Sequence, residues 1–279
     1  MSMVSVEDRG FTLGDGVFDT ALSINGVIFA RERHVRRLVE AAHSIGIAVQ
    51  DSAVQSAVDS KQESARNLHG MTLAAAVCRI VRTTVTRGTT ARGLWPASSG
   101  EPTVVVTSTP WTASLLGQPA TLITASAPRN ERSRTCSLKV LGYLDHILAA
   151  REASLKGADD ALILNLQGRP ACSTIASLFI IEGNRLITPP LSEGCLPGII
   201  RALLLELAPD VGLEPCESPI LLGELIAADA VFLTNSVRFI RRVSALDGID
   251  LPTRGDGMSK LEDALFARVK AECGFDPRT

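Results

Sequence analysis

The sequence predicts two α+β domains, and three observations carry that prediction. Strand and helix patterns mix along 279 residues without a strict strand–helix–strand rhythm. Segment 110–120, PWTASLLGQPA, sets two prolines and a glycine between strand patterns, which marks a domain break. The length suits two modest domains as well as one large one. The expected division is a smaller N-terminal domain over 1–112, a linker over 113–119 and a larger C-terminal domain over 120–279.

The elements follow in order. Val4–Val6 reads as a short strand, and RGFTLGDGVFDT as a glycine-rich loop with no helix pattern behind it. Residues 17–30 read as a hairpin turning at Asn25-Gly26. Arg33–Ile45 is helical, because Leu38, Ala41, Ala42 and Ile45 recur at spacings of three and four, and Gly46 stops it. Residues 51–67 form a second helix; 72–86 and 103–109 are β-rich. Beyond the break, 122–125 reopens β structure. Leu144–Leu155 is an amphipathic helix with Leu144, Ile147, Leu148 and Leu155 expected to face inward. Ala161–Asn165, Leu178–Ile181 and Val231–Thr234 are strands. Pro197-Gly198 opens a helix over Ile199–Leu207, and Lys260–Cys273 is the last helix.

Composition excludes several function classes. Hydrophobic residues at 46% and charged residues at 21% exclude wholesale disorder. A net charge of −2, from 28 basic and 30 acidic side chains, argues against nucleic acid as a partner of the whole chain. Apolar runs such as Leu162–Leu164 and Leu203–Leu205 fall far short of the roughly 20 residues that span a bilayer. The start, MSMVSVEDRG, has neither a basic nor an apolar signal region. Six scattered cysteines with no CxxC point away from disulfides and zinc, and toward a reducing cytoplasm. Four histidines never reach metal-ligand spacing, so no metal is expected.

The chain lacks a Walker A loop, HExxH, GxGxxG and GxSxG, which removes support for common kinase, protease, dehydrogenase and hydrolase readings. What remains is anion-binding and amine chemistry. LPGIIRALLLELA starts a helix whose first N–H groups lack internal partners and face outward at the positive dipole end, a seat for phosphate. Taken alone, it is also an ordinary loop-to-helix start. Arg37 lies among Arg31, Arg33 and Arg36, which fits an anion site or a solvated helix face. Lys139 stands in the largely apolar SLKVLGYLDHILA; desolvation there lowers an ammonium pKa and frees a nucleophilic amine. A snorkelling lysine fits the same pattern. Tyr143, the one tyrosine in the chain, follows four residues on; it suits a cofactor hydroxyl or a core aromatic.

Together these motifs resemble the class IV aminotransferases, pyridoxal-phosphate enzymes of fold type IV. That family includes branched-chain and D-amino-acid aminotransferases and 4-amino-4-deoxychorismate lyase. The resemblance runs through DRGFTLGDGVFDT (8–20), HVRRL (34–38), LKVLGYLDHILAAREA (138–153), GADDALILNLQGRPACSTIASLFII (157–181), LITPPLSEGCLPGIIR (186–201) and ADAVFLTNS (228–236). It implies an α+β, two-domain fold type IV enzyme with mixed sheets and a barrel-like larger C-terminal domain. It also implies a homodimer, an amino-acid-like small-molecule substrate and pyridoxal 5'-phosphate as cofactor. By the same resemblance Lys139 bonds the cofactor as a Schiff base and shuttles the Cα proton, and Arg37 pairs with its phosphate. Ile199 and Ile200 give the phosphate their backbone N–H groups, and Ser236 gives hydroxyl and backbone. Tyr143 bonds the ring hydroxyl.

The chain departs from the family pattern at several positions. Cys172 stands where the family has the glutamate that keeps the pyridine nitrogen protonated, and a thiol is a weak partner for it. Ser177 replaces an asparagine, Gly142 another, and Ile200 a threonine. Arg241 and Arg242 precede Val243 where a proline is usual. The Arg-Gly pairs of TRGTTARGLW (86–95) and the LKVLGYL segment look more like the lyase branch, and Arg87 and Arg92 are candidates for substrate carboxylates. The expected reaction is pyruvate elimination from aminodeoxychorismate, giving 4-aminobenzoate. The alternatives are amino transfer on D- or branched-chain amino acids, and a degenerate cofactor-binding protein with weak catalysis.

Overall fold

A computed structural model describes residues 4–68, 77–95 and 100–279. The chain divides into two compact units. The first holds 1–112 and takes back 138–142 and 272–277; the second holds 113–137, 143–271 and 278–279.

In the first unit, a short helix α1 (Arg9–Leu13) precedes β1 (Gly16–Ile24), β2 (Val27–Ile28), helices α2 (Arg31–Ser44) and α3 (Asp51–Leu68), and strands β3 (Cys78–Thr86) and β4 (Thr103–Pro110). The four strands form one antiparallel sheet in the order β2-β1-β3-β4. The apolar positions of α2 (Val35, Leu38, Val39, Ala42) pack with Val17 and Val85 and with Ile47, Val49 and Val54 into one core. Each such aliphatic side chain contributes roughly 1.5–3 kcal/mol on burial. Residues 138–142 return to this sheet. The Phe18 N–H donates to the Lys139 carbonyl at 2.8 Å, and the Leu141 N–H donates to Gly16 at 3.0 Å. Lys139 is thereby tied to the first residues of β1.

The second unit holds β5 (Ala120–Thr124), α4 (Leu144–Leu155), β6 (Asp160–Leu164), β7 (Pro170–Ser173), β8 (Ser177–Glu182) and β9 (Arg185–Thr188). It continues with α5 (Ile199–Leu207), β10 (Glu214–Glu217), α6 (Leu222–Ala227), β11 (Ala230–Asn235), β12 (Phe239–Leu246), β13 (Ile249–Asp250) and α7 (Gly257–Cys273). Its sheet runs β10-β9-β8-β11-β12-β5-β6-β7, with β13 on β12. A further pairing of β7 with β8 closes β8, β11, β12, β5, β6 and β7 into a ring, the barrel-like sheet expected of fold type IV. Strands buried on both faces read as nearly continuous apolar runs, as in LFII (178–181) and AVFL (230–233).

Three sequence expectations are corrected. Val4–Val6 is not a strand; the glycine-rich segment instead contains α1, capped by the Asp8 carboxylate at its start and by Gly14 at a φ of 68° at its end. In α4, Leu144, Ile147, Leu148 and Leu155 face solvent at 65, 58, 52 and 72% exposure, and the buried face is Ala149 and Ala153. Small residues let α4 lie close on β6, which leaves its leucines outside. In the β-rich stretch 72–86, the strand covers 78–86 and residues 72–76 lie outside the described ones. Among the described residues, no helix is long and apolar enough to cross a membrane, and no group of three or more candidate ligands is placed to hold a metal ion.

Candidate active site

The first unit builds its functional cluster on β1 and α2. His34 and Arg37, one helical turn apart, reach the same buried carboxylate of Asp19. Arg37 donates from Nε and Nη2 to Asp19 Oδ2, and His34 Nδ1 lies 2.6 Å from Oδ1. Burial alone would raise the Asp19 pKa; Arg37 and His34 outweigh it and hold the group below the usual carboxylate range. An ionised carboxylate only accepts, so His34 carries its hydrogen on Nδ1.

Lys139 is half-buried, with Nζ 4.4 Å from the centre of the Phe18 ring, and the Arg82 guanidinium lies 3.5 Å from the same centre. Desolvation first, then Arg37 and Arg82, lower the Lys139 pKa to about 8, against the pull of Asp19. A neutral amine is therefore present near physiological pH, which is what attack on an aldehyde requires.

The structure removes Arg87 from the substrate-binding candidates. Its guanidinium is buried and committed: Nε and Nη2 donate to the two oxygens of Asp15 at 2.7 and 3.1 Å, Nη1 to Gly46 O at 2.7 Å and Nη2 also to Ile45 O at 2.6 Å. Asp15 also accepts from Arg9 Nε at 2.7 Å, and Arg9 holds the carbonyls of Gly93 and Leu94. Arg87 is thus a structural pin, whereas Arg92 is exposed.

In the second unit, Ile199 and Ile200 are the first two residues of α5, as the sequence motif requires. Gly198 caps the helix without a side-chain bond, and the first turn holds no acidic residue. A Cβ on Gly198 would lie 2.6 Å from Ser177 Oγ, so any larger residue there displaces the Ser177 hydroxyl. Ser236 is half-buried in the turn after β11, which Asn235 Oδ1 organises by accepting from the N–H groups of Val237 and Arg238 at 3.0 and 2.8 Å. Phe239 ends this turn at a φ of 56°, a left-handed conformation costly for a bulky residue.

Cys172 is buried on β7, directly paired with Ser177 on β8. Burial pushes its thiol up to about 12 despite the nearby Arg129, so it is uncharged. Tyr143 stands just before α4 and stacks on His146, ring centres 4.7 Å apart. His146 Nδ1 lies 2.7 Å from the Thr174 carbonyl and Nε2 lies 2.6 Å from Arg129 Nη1. The carbonyl only accepts and the guanidinium only donates, so His146 carries its hydrogen on Nδ1.

These halves match known proteins. Residues 16–246 match the family described as amino-transferase class IV. The chain belongs to the class IV aminotransferases. It is 32% identical over 277 residues, 98% of this chain and 93% of the other, to a Methanocaldococcus jannaschii protein provisionally named a branched-chain-amino-acid aminotransferase. It is 28% identical to the D-alanine aminotransferase of Bacillus licheniformis, over 88% of this chain and 83% of that one. The solved structure of 4-amino-4-deoxychorismate lyase from Pseudomonas aeruginosa superposes with a TM-score of 0.84 at 27% identity, covering 99% of this chain and 97% of the lyase. Class IV aminotransferases are pyridoxal-phosphate enzymes, and this chain is one of them. Its donor set fits that cofactor: an amine of lowered pKa for the aldehyde, and an uncapped helix start with a nearby serine turn for the phosphate.

Sequence reading passed over Asp19, His34, Arg82, Arg129 and His146. Asp19 and His34 were signalled by the FDT and HxxR spacings; the other three carried no local signal.

Proposed function

We propose that this class IV aminotransferase-family enzyme catalyses pyruvate elimination of the 4-amino-4-deoxychorismate lyase type. Lys139, Arg37, Tyr143, Cys172, Ile199, Ile200 and Ser236 are the residues assigned to the cofactor. When bound, pyridoxal phosphate supplies an electron sink for the bond broken at Cα. Arg37, oriented by Asp19, is assigned a phosphate contact in the first unit, and the first N–H groups of α5 and the Ser236 hydroxyl are assigned one in the second. Tyr143, held by its stack on His146, donates to the ring hydroxyl. Lys139 Nζ, its pKa lowered to about 8, would hold the cofactor through its aldehyde and, as a free amine, would move the Cα proton of the substrate. Arg82, whose charge acts on Lys139, receives a substrate carboxylate in the place the sequence assigned to Arg87; Arg92 is a second such candidate.

The observation that carries the choice of elimination is Cys172. An uncharged thiol at the position of the family's glutamate gives the ring nitrogen no anion to hold a proton. Aromatisation of the product drives elimination and tolerates a weaker sink, whereas amino transfer depends on it more. The second reading is amino transfer to D- or branched-chain amino acids, favoured by the Methanocaldococcus jannaschii and Bacillus licheniformis relatives. We also propose a homodimer, since Leu144, Ile147, Leu148 and Leu155 of α4 form an outward apolar face that water does not favour, and a cytoplasmic location, which the free cysteines support. Aminodeoxychorismate, D-amino acids and L-branched-chain amino acids, assayed side by side for pyruvate release and keto-acid-dependent transfer, test the choice. Pyruvate release from aminodeoxychorismate alone supports it; transfer without release overturns it.

A further inference from the structure

Thr234 is 3% exposed, and its Oγ1 has no hydrogen-bond partner. A hydroxyl buried in this way destabilises the chain that holds it, so its presence calls for a ligand or an explanation. Its position supplies one. Thr234 on β11 is directly paired with Ser177 on β8. Directly opposed residues of an antiparallel pair project from the same face of the sheet, with Cβ atoms roughly 5 Å apart. On that face Ser177 Oγ lies against Gly198, so close that a Cβ on Gly198 would come within 2.6 Å of it. The orphaned hydroxyl therefore stands one side chain away from the residue that caps α5. The nine-residue helix has no side-chain cap and no acidic group in its first turn. An anion seated there meets outward N–H groups at the positive dipole end.

We propose that Thr234 is a phosphate-binding residue: its hydroxyl donates to a phosphate oxygen of the cofactor at the start of α5. This rests on the reading of the α5 N-terminus as the phosphate seat. It assigns Thr234 a role separate from Ser236, because the two stand two residues apart, one in the strand and one in the turn.

Thr234→Val keeps the β-branched shape and removes only the hydroxyl, which makes the test two-sided. In the cofactor-free protein, removal of an unpartnered polar atom should leave the melting temperature equal or higher. In titrations followed by absorbance, affinity for pyridoxal 5'-phosphate should fall about tenfold or more, the usual range for a lost hydrogen bond to a charged group. Affinity for pyridoxal, which lacks the phosphate, should not change. Thr234→Ser keeps the hydroxyl and should bind like wild type; Thr234→Ala serves if the valine variant misfolds. Unchanged affinity for pyridoxal 5'-phosphate in the valine variant overturns the proposal, as does an equal loss toward both ligands, which would place the contact on the ring. Ser236→Ala separates the two ideas. If it weakens phosphate-dependent binding and Thr234→Val does not, only the role of Thr234 fails. If neither variant matters, the phosphate seat itself is wrong and the proposal falls with it.

Discussion

Arg37 gives two nitrogens, Nε and Nη2, to a single oxygen of Asp19, at 2.8 and 2.7 Å. The carboxylate fixes the guanidinium plane before any ligand arrives. Charge-assisted contacts are worth roughly 1.5–3 kcal/mol each. Arg37→Ala should therefore weaken pyridoxal 5'-phosphate binding about tenfold or more, measured by titration of the cofactor-free protein. Equal affinity in the variant would show that Arg37 does not bind the phosphate.

Asp19 and Arg82 act on Lys139 with opposite signs. Asp19→Asn should move the Lys139 pKa below about 8, and Arg82→Met should move it above. The reactivity of the amine with an acylating reagent, followed against pH in the cofactor-free protein, reads both shifts. Shifts in one common direction would refute this electrostatic reading. Arg82→Met should also raise KM for the substrate while leaving cofactor affinity near wild type.

The lowered Lys139 pKa has a consequence for stability. The unfolded chain holds this proton up to about pH 10.4, whereas the folded chain releases it near pH 8. Between those values the unfolded state binds more protons, so stability rises with pH. Below pH 8 the buried charge costs the fold about 3 kcal/mol at most, and above about pH 10.4 that cost is gone. Lys139→Met should thus stabilise the cofactor-free protein at pH 7, with the gain shrinking toward pH 10. Denaturant melts of both proteins across that range check the sign.

Much of the fold was legible in the sequence. The spacings of three and four over 33–45, the amphipathic pattern over 144–155 and the Pro197-Gly198 start before 199–207 each pointed to a helix that the structure contains. The orientation of α4 was not legible. Periodicity gives a face, but it does not distinguish a leucine face turned to the core from one turned to a partner, and here alanines make the close approach. Arg87 misled for a related reason. An Arg-Gly pair says nothing about Asp15, which lies 72 residues away and consumes the guanidinium. Nor does composition reveal that 138–142 rejoins the first unit, since that depends on backbone hydrogen bonds to β1.

The outward face of α4 yields its own expectation. Ile147→Glu with Leu148→Glu should convert a dimer to a monomer in sedimentation while leaving the helical content unchanged, because neither side chain is in the core. A dimer that persists unchanged would assign the apolar face to something else.

On the proposed assignment of Cys172 to the ring nitrogen, Cys172→Glu puts an anion there. It should raise amino transfer more than pyruvate elimination, with both activities measured on the same preparations at matched cofactor occupancy. Should transfer stay unchanged in a folded, loaded variant, another group supplies the charge and the preference for elimination loses its main support.

The identity of the cofactor-bonding lysine is open to one direct measurement. Borohydride reduction of the loaded enzyme, followed by peptide mapping, should place the pyridoxyl group on Lys139 and on no other of the five lysines, Lys61, Lys139, Lys156, Lys260 and Lys270. Lys139→Ala should still take up cofactor through the phosphate, but reduction should fix none to the chain. A label on a different lysine, or a Lys139→Ala variant that is still labelled and active, would contradict the assignment on which the mechanism rests.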